Sequence, residues 1–361
     1  MEAPAMEAAR PVLIGSGFIA SRHVAALQQM GIRPVAVWSP TAAHAAAAAG
    51  RWRCQAPPRL EDALALGTHV HVCSPPVQHE EVVLRACRHR PTILCEKPLA
   101  PTLDAARRME AVTTASATTA HLLFNLRFAE GVRLLRRAVA DGTLGAVVSV
   151  FGSYRQQWNA APSSRDWRFD PARVGPSRVI TEIGSHLVDL TEFVLGRSID
   201  AVHALTAAMG ERPFVAGGEA GSVSPPNEDI FSLQFRAGEV VGHLYGTELA
   251  HGSYDDIVFH LDGSLRSAVW RSRDPGQVSV RSKTEGRRTY GQIGPVDSVG
   301  ACIGAVYARS PALADAATFA DGVRNCSVMD AARESAASGE WRSPASGAEM
   351  AAVPAAGRRR R

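Results

Sequence analysis

The chain has 361 residues, 46% hydrophobic and 20% charged. These proportions fit a globular protein of about two domains with a real core and exclude a disordered or fibrous chain. The formal net charge is +4, and much of the excess lies in the terminal run Arg358 to Arg361, read as a solvated tail. No other stretch interleaves basic and aromatic residues, so no nucleic-acid partner is expected.

The opening stretch MEAPAMEAARPVLIGSG carries acidic residues and no long apolar run. It predicts neither a secretion signal nor a membrane helix, and hence a cytoplasmic protein. PVLIGSGFIASRHVAALQQM then reads as a short strand, a glycine turn and an amphipathic helix. RPVAVWS is a second strand, followed by an alanine-rich helix over 42–49. THVHVCSPP and RPTILCEKP are two more strands, each ended by proline, with the helix HEEVVLRACRH between them. LDAARRMEAV and TTAHLLFN add a helix and a strand. Strand and helix alternating at this spacing predict a parallel, doubly wound Rossmann sheet over 1–122.

Past residue 122 the pattern changes. FAEGVRLLRRAVADGTLG predicts a helix and AVVSVFGSY a strand; DIFSLQF, EVVGHLYG, DIVFHL and SAVWRS then follow one another with only turns between them. This predicts an α+β domain over 123–342 with an open, mainly antiparallel sheet. The last strong helix is FADGVRNCSVMDAARESAAS, and 343–361 read as a disordered tail. The six cysteines contain no C-x-x-C pair and read as reduced thiols that fill the core.

Gly15, Gly17 and Ala20 form G-x-G-x-x-A at the first strand-to-helix junction. There glycine lets the backbone approach a pyrophosphate, whose charge meets the free N–H groups of the helix. At the end of the second strand stand Trp38, Ser39 and Pro40, neither the acidic residue that binds the ribose of NAD nor an arginine for the phosphate of NADP. The choice between the two cofactors stays open. Lysine occurs only at Lys97 and Lys283 in a chain with 39 basic residues. Arg cannot release its proton and Lys can, so a lysine at the carboxyl edge of the sheet, where such folds bind ligands, is a candidate for proton chemistry. In VITEIGSHLVDLTEFVLG, Glu182 and His186 stand one helical turn apart and Asp189 three residues on. Glu182 would orient His186, with Asp189 a second candidate. No third and fourth ligand accompany them, so no metal is expected. The acids Glu228, Asp229 and those of HGSYDD read as solvated carboxylates near turns, with recognition of an aminosugar as the lesser alternative.

In this order and spacing, G-x-G-x-x-A, EKPLA, NLRF at Asn125 to Phe128, DWRFDP at 166–171 and GSHLVDL resemble the Gfo/Idh/MocA family, the glucose-fructose oxidoreductase and inositol dehydrogenase group, over about residues 10 to 342. The resemblance implies a Rossmann domain joined to an α+β domain whose open sheet often makes the contact of a homodimer or homotetramer. It implies an active-site lysine at Lys97 acting with His186. It also implies substrate contacts at Lys97, His186, Asn125, Arg127 and Asp189, and a tryptophan–arginine pair near the cofactor at Trp167 and Arg168. The cofactor set it suggests is Gly15, Ser16, Gly17, Phe18, Ile19, Ser39, Ser74, Pro75, His79, Glu96 and Lys97 with that pair. Two positions depart from the family pattern: Glu182 stands where Asp is common, and Leu126 replaces a tyrosine.

The activity implied is NAD(P)-dependent interconversion of a secondary alcohol and a ketone on a sugar, aminosugar or cyclitol, possible in secondary-metabolite sugar biosynthesis. The alternatives are a glycoside hydrolase that recycles its dinucleotide and a regulator that binds dinucleotide without catalysis.

Overall fold

The computed structural model describes residues 9–160, 169–216, 219–223, 227–292 and 297–345. In chain order the first half contains β1 Pro11–Ile14, α1 Phe18–Gln29, β2 Ala36–Trp38, α2 Ala42–Trp52, α3 Leu60–Leu66, β3 His69–Val72, α4 His79–Ala86, β4 Thr92–Cys95, α5 Leu103–Ala115 and β5 Ala120–Leu122. The five strands are parallel in the order β5-β4-β3-β1-β2. Outside β2 the chain makes one further parallel bridge, Ala36 to Gln55, with the Val37 N–H donating to the Gln55 carbonyl at 2.9 Å. A strand of the doubly wound fold is thus reduced to a bridge, and the strand order reverses between β1 and β3. Near-continuous burial of PVLI in β1 follows from helices covering both faces.

The second half begins with α6 Glu130–Ala140 and β6 Val147–Arg155, then a single turn α7 Pro171–Val174, a π-helical turn over Ile180–Gly184 and α8 Ser185–Leu195. There follow β7 Ala201–Ala207, the hairpin β8 Arg212–Ala216 and β9 Glu219–Val223, and then β10 Ile230–Ala237, β11 Val240–Thr247, β12 Asp256–Gly263, β13 Ser267–Arg271, β14 Gln277–Ser282 and β15 Gly286–Gly291. Eight strands make one sheet, β15-β14-β13-β12-β6-β11-β10-β7, antiparallel except for the β6–β11 pair. In β10 and β12 to β14 buried residues alternate with more exposed ones, the pattern of a sheet covered on one face only. Helix α8 is buried along its whole length, packed against α6, β6 and the C-terminal helix α10 Phe319–Ser338.

The chain then returns to the first sheet, which the expected division at residue 122 leaves out. Helix α9 Ser298–Ala308 packs on α1, and β16 Ala317–Thr318 pairs antiparallel with β5 as a sixth strand. β16 leads directly into α10, whose start is fixed by a capping box between Thr318 and Asp321. Among the described residues no helix is long and apolar enough to cross a membrane. All six cysteines are free and five are buried. Nearly all of the expected tail, 346–361, lies outside the described residues.

Candidate active site

The carboxyl ends of β1, β3 and β4 converge on one edge. Gly15 leaves β1 with φ +115°, and a Cβ there would lie 2.5 Å from the Cys73 carbonyl oxygen, so the turn after β1 closes on the turn after β3 only because residue 15 is glycine. Gly17 caps α1 with no side-chain hydrogen bond, and a Cβ built on it meets nothing within 4 Å. In the neighbouring turn the Ser74 hydroxyl oxygen is buried without a hydrogen-bond partner. An open helix start beside a glycine and an unsatisfied buried hydroxyl fits the pyrophosphate of a dinucleotide. Ser16, Phe18, Ile19, Ser39 and Pro75 stand at the same edge, on the turns and helix start that follow β1, β2 and β3.

Past β4, the Lys97–Pro98 peptide is cis. Lys97 Nζ donates to the backbone carbonyl of Glu182 at 2.8 Å and stands 3.4 Å from its carboxylate. The segment 180–184 is a π-turn, with i→i+5 bonding that changes which residues stack along the helix. Glu182 accordingly meets Lys97, and an α-helical stacking of Glu182 under His186 is corrected. His186 is buried next to the rings of Phe124 and Tyr154, each with its centroid 6.1 Å away. Its Nδ1 is buried with no hydrogen-bond partner, so Glu182 does not orient the ring through that atom. Burial, reinforced by the Lys97 charge, holds the imidazole well below its ordinary pKa and therefore neutral near pH 7. Tyr154 in turn donates to Asp255 at 2.7 Å.

Three of the expected site residues are engaged by the protein itself. His79 is fully buried; its ring nitrogens face the carbonyls of Ser74 at 2.9 Å and of Pro98 and Leu99 at 3.1 Å. It ties the turn after β3 to the turn after β4 through these main-chain contacts. Arg127 and Asp189 spend their charges on each other. Arg127 Nε lies 3.0 Å from both Asp189 oxygens and Nη2 2.6 Å from one, with the guanidinium over the Phe193 ring at 4.9 Å. The pair is buried and holds α8 to the turn over Asn125–Phe128.

Asn125 donates one amide hydrogen to Ser298 at the head of α9, 2.7 Å away. Trp167 and Arg168 lie outside the described residues. The reading of Glu228, Asp229 and Asp255 as solvated acids also gives way. Glu228 accepts the backbone N–H groups of Arg178 and Ile180 at 3.0 Å, Asp229 is buried against Arg178, and Asp255 holds Tyr154 and Gln156. Glu228 and Asp229 anchor the start of the 180–195 segment, and Asp255 holds Tyr154, whose ring lies beside His186.

Sequence reasoning missed the partners of Glu96. Its Oε1 lies 3.0 Å from His23 Nε2, and its Oε2 accepts the Lys97 N–H at 3.2 Å. His23 on α1 meets His71 on β3, which meets Tyr307 on α9. The sequence signal is the pair of histidines alternating with valine in HVHV, of which His71 is the buried one. Among the described residues no group of three or more histidine, cysteine or acidic side chains is arranged to hold a metal.

Comparison with known proteins agrees with this edge. Residues 9–123 match the family described as oxidoreductase, NAD-binding Rossmann fold, and residues 132–269 match the GFO/IDH/MocA C-terminal domain. The chain is 29% identical over 309 residues to levoglucosan dehydrogenase of Pseudarthrobacter phenanthrenivorans, covering 75% of this chain and 78% of that one. It is 30% identical over 218 residues to inositol 2-dehydrogenase of Rhizobium meliloti, covering 59% and 62%. The solved structure of a levoglucosan dehydrogenase in complex with NADH and L-sorbose superposes with a TM-score of 0.85 at 25% identity, covering 95% of this chain and all of that one.

Proposed function

Because this chain belongs to the Gfo/Idh/MocA family of NAD-binding oxidoreductases, we propose that it oxidises a ring secondary alcohol of a sugar or cyclitol, or reduces the corresponding ketone, with Lys97 and His186 at the reacting oxygen. The observation that carries this reading is one juxtaposition. Lys97 Nζ is anchored on Glu182 at the edge that carries the glycine turn, and His186 on the adjoining helix is neutral with an unpartnered Nδ1.

A bound nicotinamide would supply the hydride acceptor. His186 takes the hydroxyl proton, since a neutral imidazole is the base available near pH 7. Lys97 donates a hydrogen bond to the same oxygen and steadies the alkoxide charge as it develops. Glu182 holds the ammonium in place through its carbonyl and carboxylate, and Phe124 and Tyr154 keep water from the imidazole. Levoglucosan dehydrogenase and inositol 2-dehydrogenase among the relatives favour a compact polyol over an aminosugar. The second-domain acids that would receive an amino group are already engaged. NAD is preferred to NADP because no Arg or Lys occurs from residue 38 to 49 to pair with a 2'-phosphate.

The division of labour follows the same lines. Residues to 122 hold the dinucleotide and 123–342 the substrate, with α9 and β16 returning to brace the first sheet. The uncovered face of the eight-stranded sheet carries Phe151, Leu205 and Val241, each exposed. We assign it the contact of a homo-oligomer, tested by light scattering of the intact chain before and after Phe151→Glu.

A panel of anhydrosugars, pyranoses and cyclitols, incubated with NAD and separately with NADP and followed at the absorbance of reduced nicotinamide, tests the function. Substrate-dependent reduction of NAD supports it. Tight dinucleotide binding with no net reduction on any substrate, or with any ketone in reverse, would instead favour a hydrolase that recycles its cofactor or a regulator.

A further inference from the structure

The far ends of α1 and α2 enclose a hollow of about 430 Å³ between Gln28, Ile32, Arg33, Arg51, Trp52 and Arg53. Helix α2 follows the carboxyl end of β2 and runs for 11 residues. At 1.5 Å per residue its last turn lies about 16 Å from the edge that carries the glycine turn, so the hollow is separate from the dinucleotide site. Ile32 and Trp52 are buried and belong to two different core clusters, and they give the hollow an apolar base. Gln28 and the three arginines are exposed and form its rim. The Arg51 guanidinium lies 5.8 Å from the centre of the Trp52 ring.

Charge sets this hollow apart. From residue 8 to residue 60 the chain has six arginines and neither Asp nor Glu. Among the described residues Arg22, 3.4 Å from Asp297, is the only one of the six in an ion pair. Arg33, Arg51 and Arg53 thus line one hollow without a countercharge, and like charges so placed repel one another. The end of a helix accounts for part of this: Arg51 in the last turn of α2 and Arg53 at its cap complement the negative end of the helix dipole. Arg33 belongs to no helix. The left-handed turn at Gly31, φ +73°, starts the chain back toward β2, and the parallel bridge Ala36 to Gln55 holds the two segments side by side. Two or three residues before that bridge, Arg33 and Arg53 reach the same rim.

We propose that this hollow is a second small-molecule site, which takes a phosphorylated ligand of the nucleoside diphosphate class. Its volume falls within the range of about 300–1,000 Å³ usual for such pockets. Guanidinium forks match phosphate oxygens two at a time, so three of them suit a pair of linked phosphates better than a single carboxylate. Ile32 and Trp52 offer an apolar surface to a flat ring, and the Gln28 amide both donates and accepts, as the edge of a base requires. The bound anion relieves the repulsion among the arginines, so affinity falls as salt rises. None of this depends on the dehydrogenase reading.

Calorimetric titration of the intact chain with ADP, in saturating NADH and at about 0.15 M salt, tests the site. One ADP should bind per chain with a Kd below about 1 mM. Arg33→Gln and Arg53→Gln, both at exposed positions that leave the core intact, should each weaken it at least tenfold through loss of a charge-assisted contact. Arg281→Gln, which removes an exposed arginine of the second domain, should leave it unchanged. No saturable binding of ADP would overturn the proposal, and so would displacement of ADP by NADH, which would put it in the dinucleotide site. Equal weakening by Arg281→Gln, or an affinity for inorganic phosphate that matches the one for ADP, would reduce the hollow to the general attraction of a basic surface for anions. Failure of NADH itself to bind would count against the dinucleotide reading, and the arginine variants would still decide the hollow.

Discussion

Lys97 Nζ donates to the main-chain carbonyl of Glu182 at 2.8 Å while the carboxylate of the same residue stands 3.4 Å away. One residue thus supplies both a fixed acceptor and a countercharge. The carbonyl fixes position and the carboxylate adds electrostatic attraction, so the two can be separated by substitution. Glu182→Gln keeps the carbonyl contact and removes the charge. We expect kcat to fall about 10- to 100-fold, less than the roughly 10²- to 10⁴-fold that a positioned acid–base group contributes in full, with dinucleotide affinity unchanged. Glu182→Asp should recover part of the loss. A kcat within twofold of the parent for Glu182→Gln would show that the carboxylate does not position Lys97.

Arg127 and Asp189 make the opposite case, since their charges are buried on each other. Removing one partner leaves an unpaired buried charge, at a cost of about 3–5 kcal/mol. Arg127→Leu should lower the urea midpoint accordingly. The double variant Arg127→Leu/Asp189→Leu should regain much of the stability and keep the KM of the parent enzyme. A large rise in KM in a stably folded double variant would restore Arg127 to the substrate site.

His71 and His186 are both held well below the ordinary histidine value, mainly by burial. In the unfolded chain they titrate near about 6.5. Above that pH both states are neutral and nothing is lost; below it the unfolded chain takes up protons that the native one refuses, so stability falls. Each excluded proton contributes a slope of about 1.4 kcal/mol per pH unit. Denaturant midpoints should therefore hold steady from pH 8 to about 6.5 and drop below it, less steeply in His71→Leu. An unchanged midpoint down to pH 5 would contradict the assignment.

Gly15 combines φ +115° with a Cβ position 2.5 Å from the Cys73 carbonyl. In Gly15→Ala both the backbone strain and the clash force the turns after β1 and β3 apart. We expect dinucleotide binding, measured by fluorescence titration, to weaken at least tenfold. Affinity equal to the parent would show that the pyrophosphate does not sit on this turn.

Much of this arrangement is legible in the residues. The β-branched runs and their prolines give the strands of the first sheet, the glycines give the turn, and the scarcity of lysine draws attention to Lys97. What the spacing of Glu182 and His186 cannot reveal is the π-turn, because i→i+5 bonding is a response to tertiary packing and has no period of its own in the sequence. The same limit applies to Arg127, which reads as a substrate contact until α8 proves to be buried on every side. The return of α9 and β16 to the first sheet is equally non-local, and with it the meeting of Tyr307 with His71, 236 residues apart. A two-residue strand such as Ala317–Thr318 is too short to carry a pattern.

The most direct measurement compares the parent chain with Lys97→Met in two assays on the same preparation: dinucleotide affinity by fluorescence titration, and substrate-dependent reduction of NAD. With Lys97 acting on the reacting oxygen, we expect affinity within about threefold of the parent and turnover reduced by about 10²- to 10⁴-fold. Lost affinity with proportionate residual turnover would make Lys97 a cofactor ligand alone and contradict its place in the chemistry.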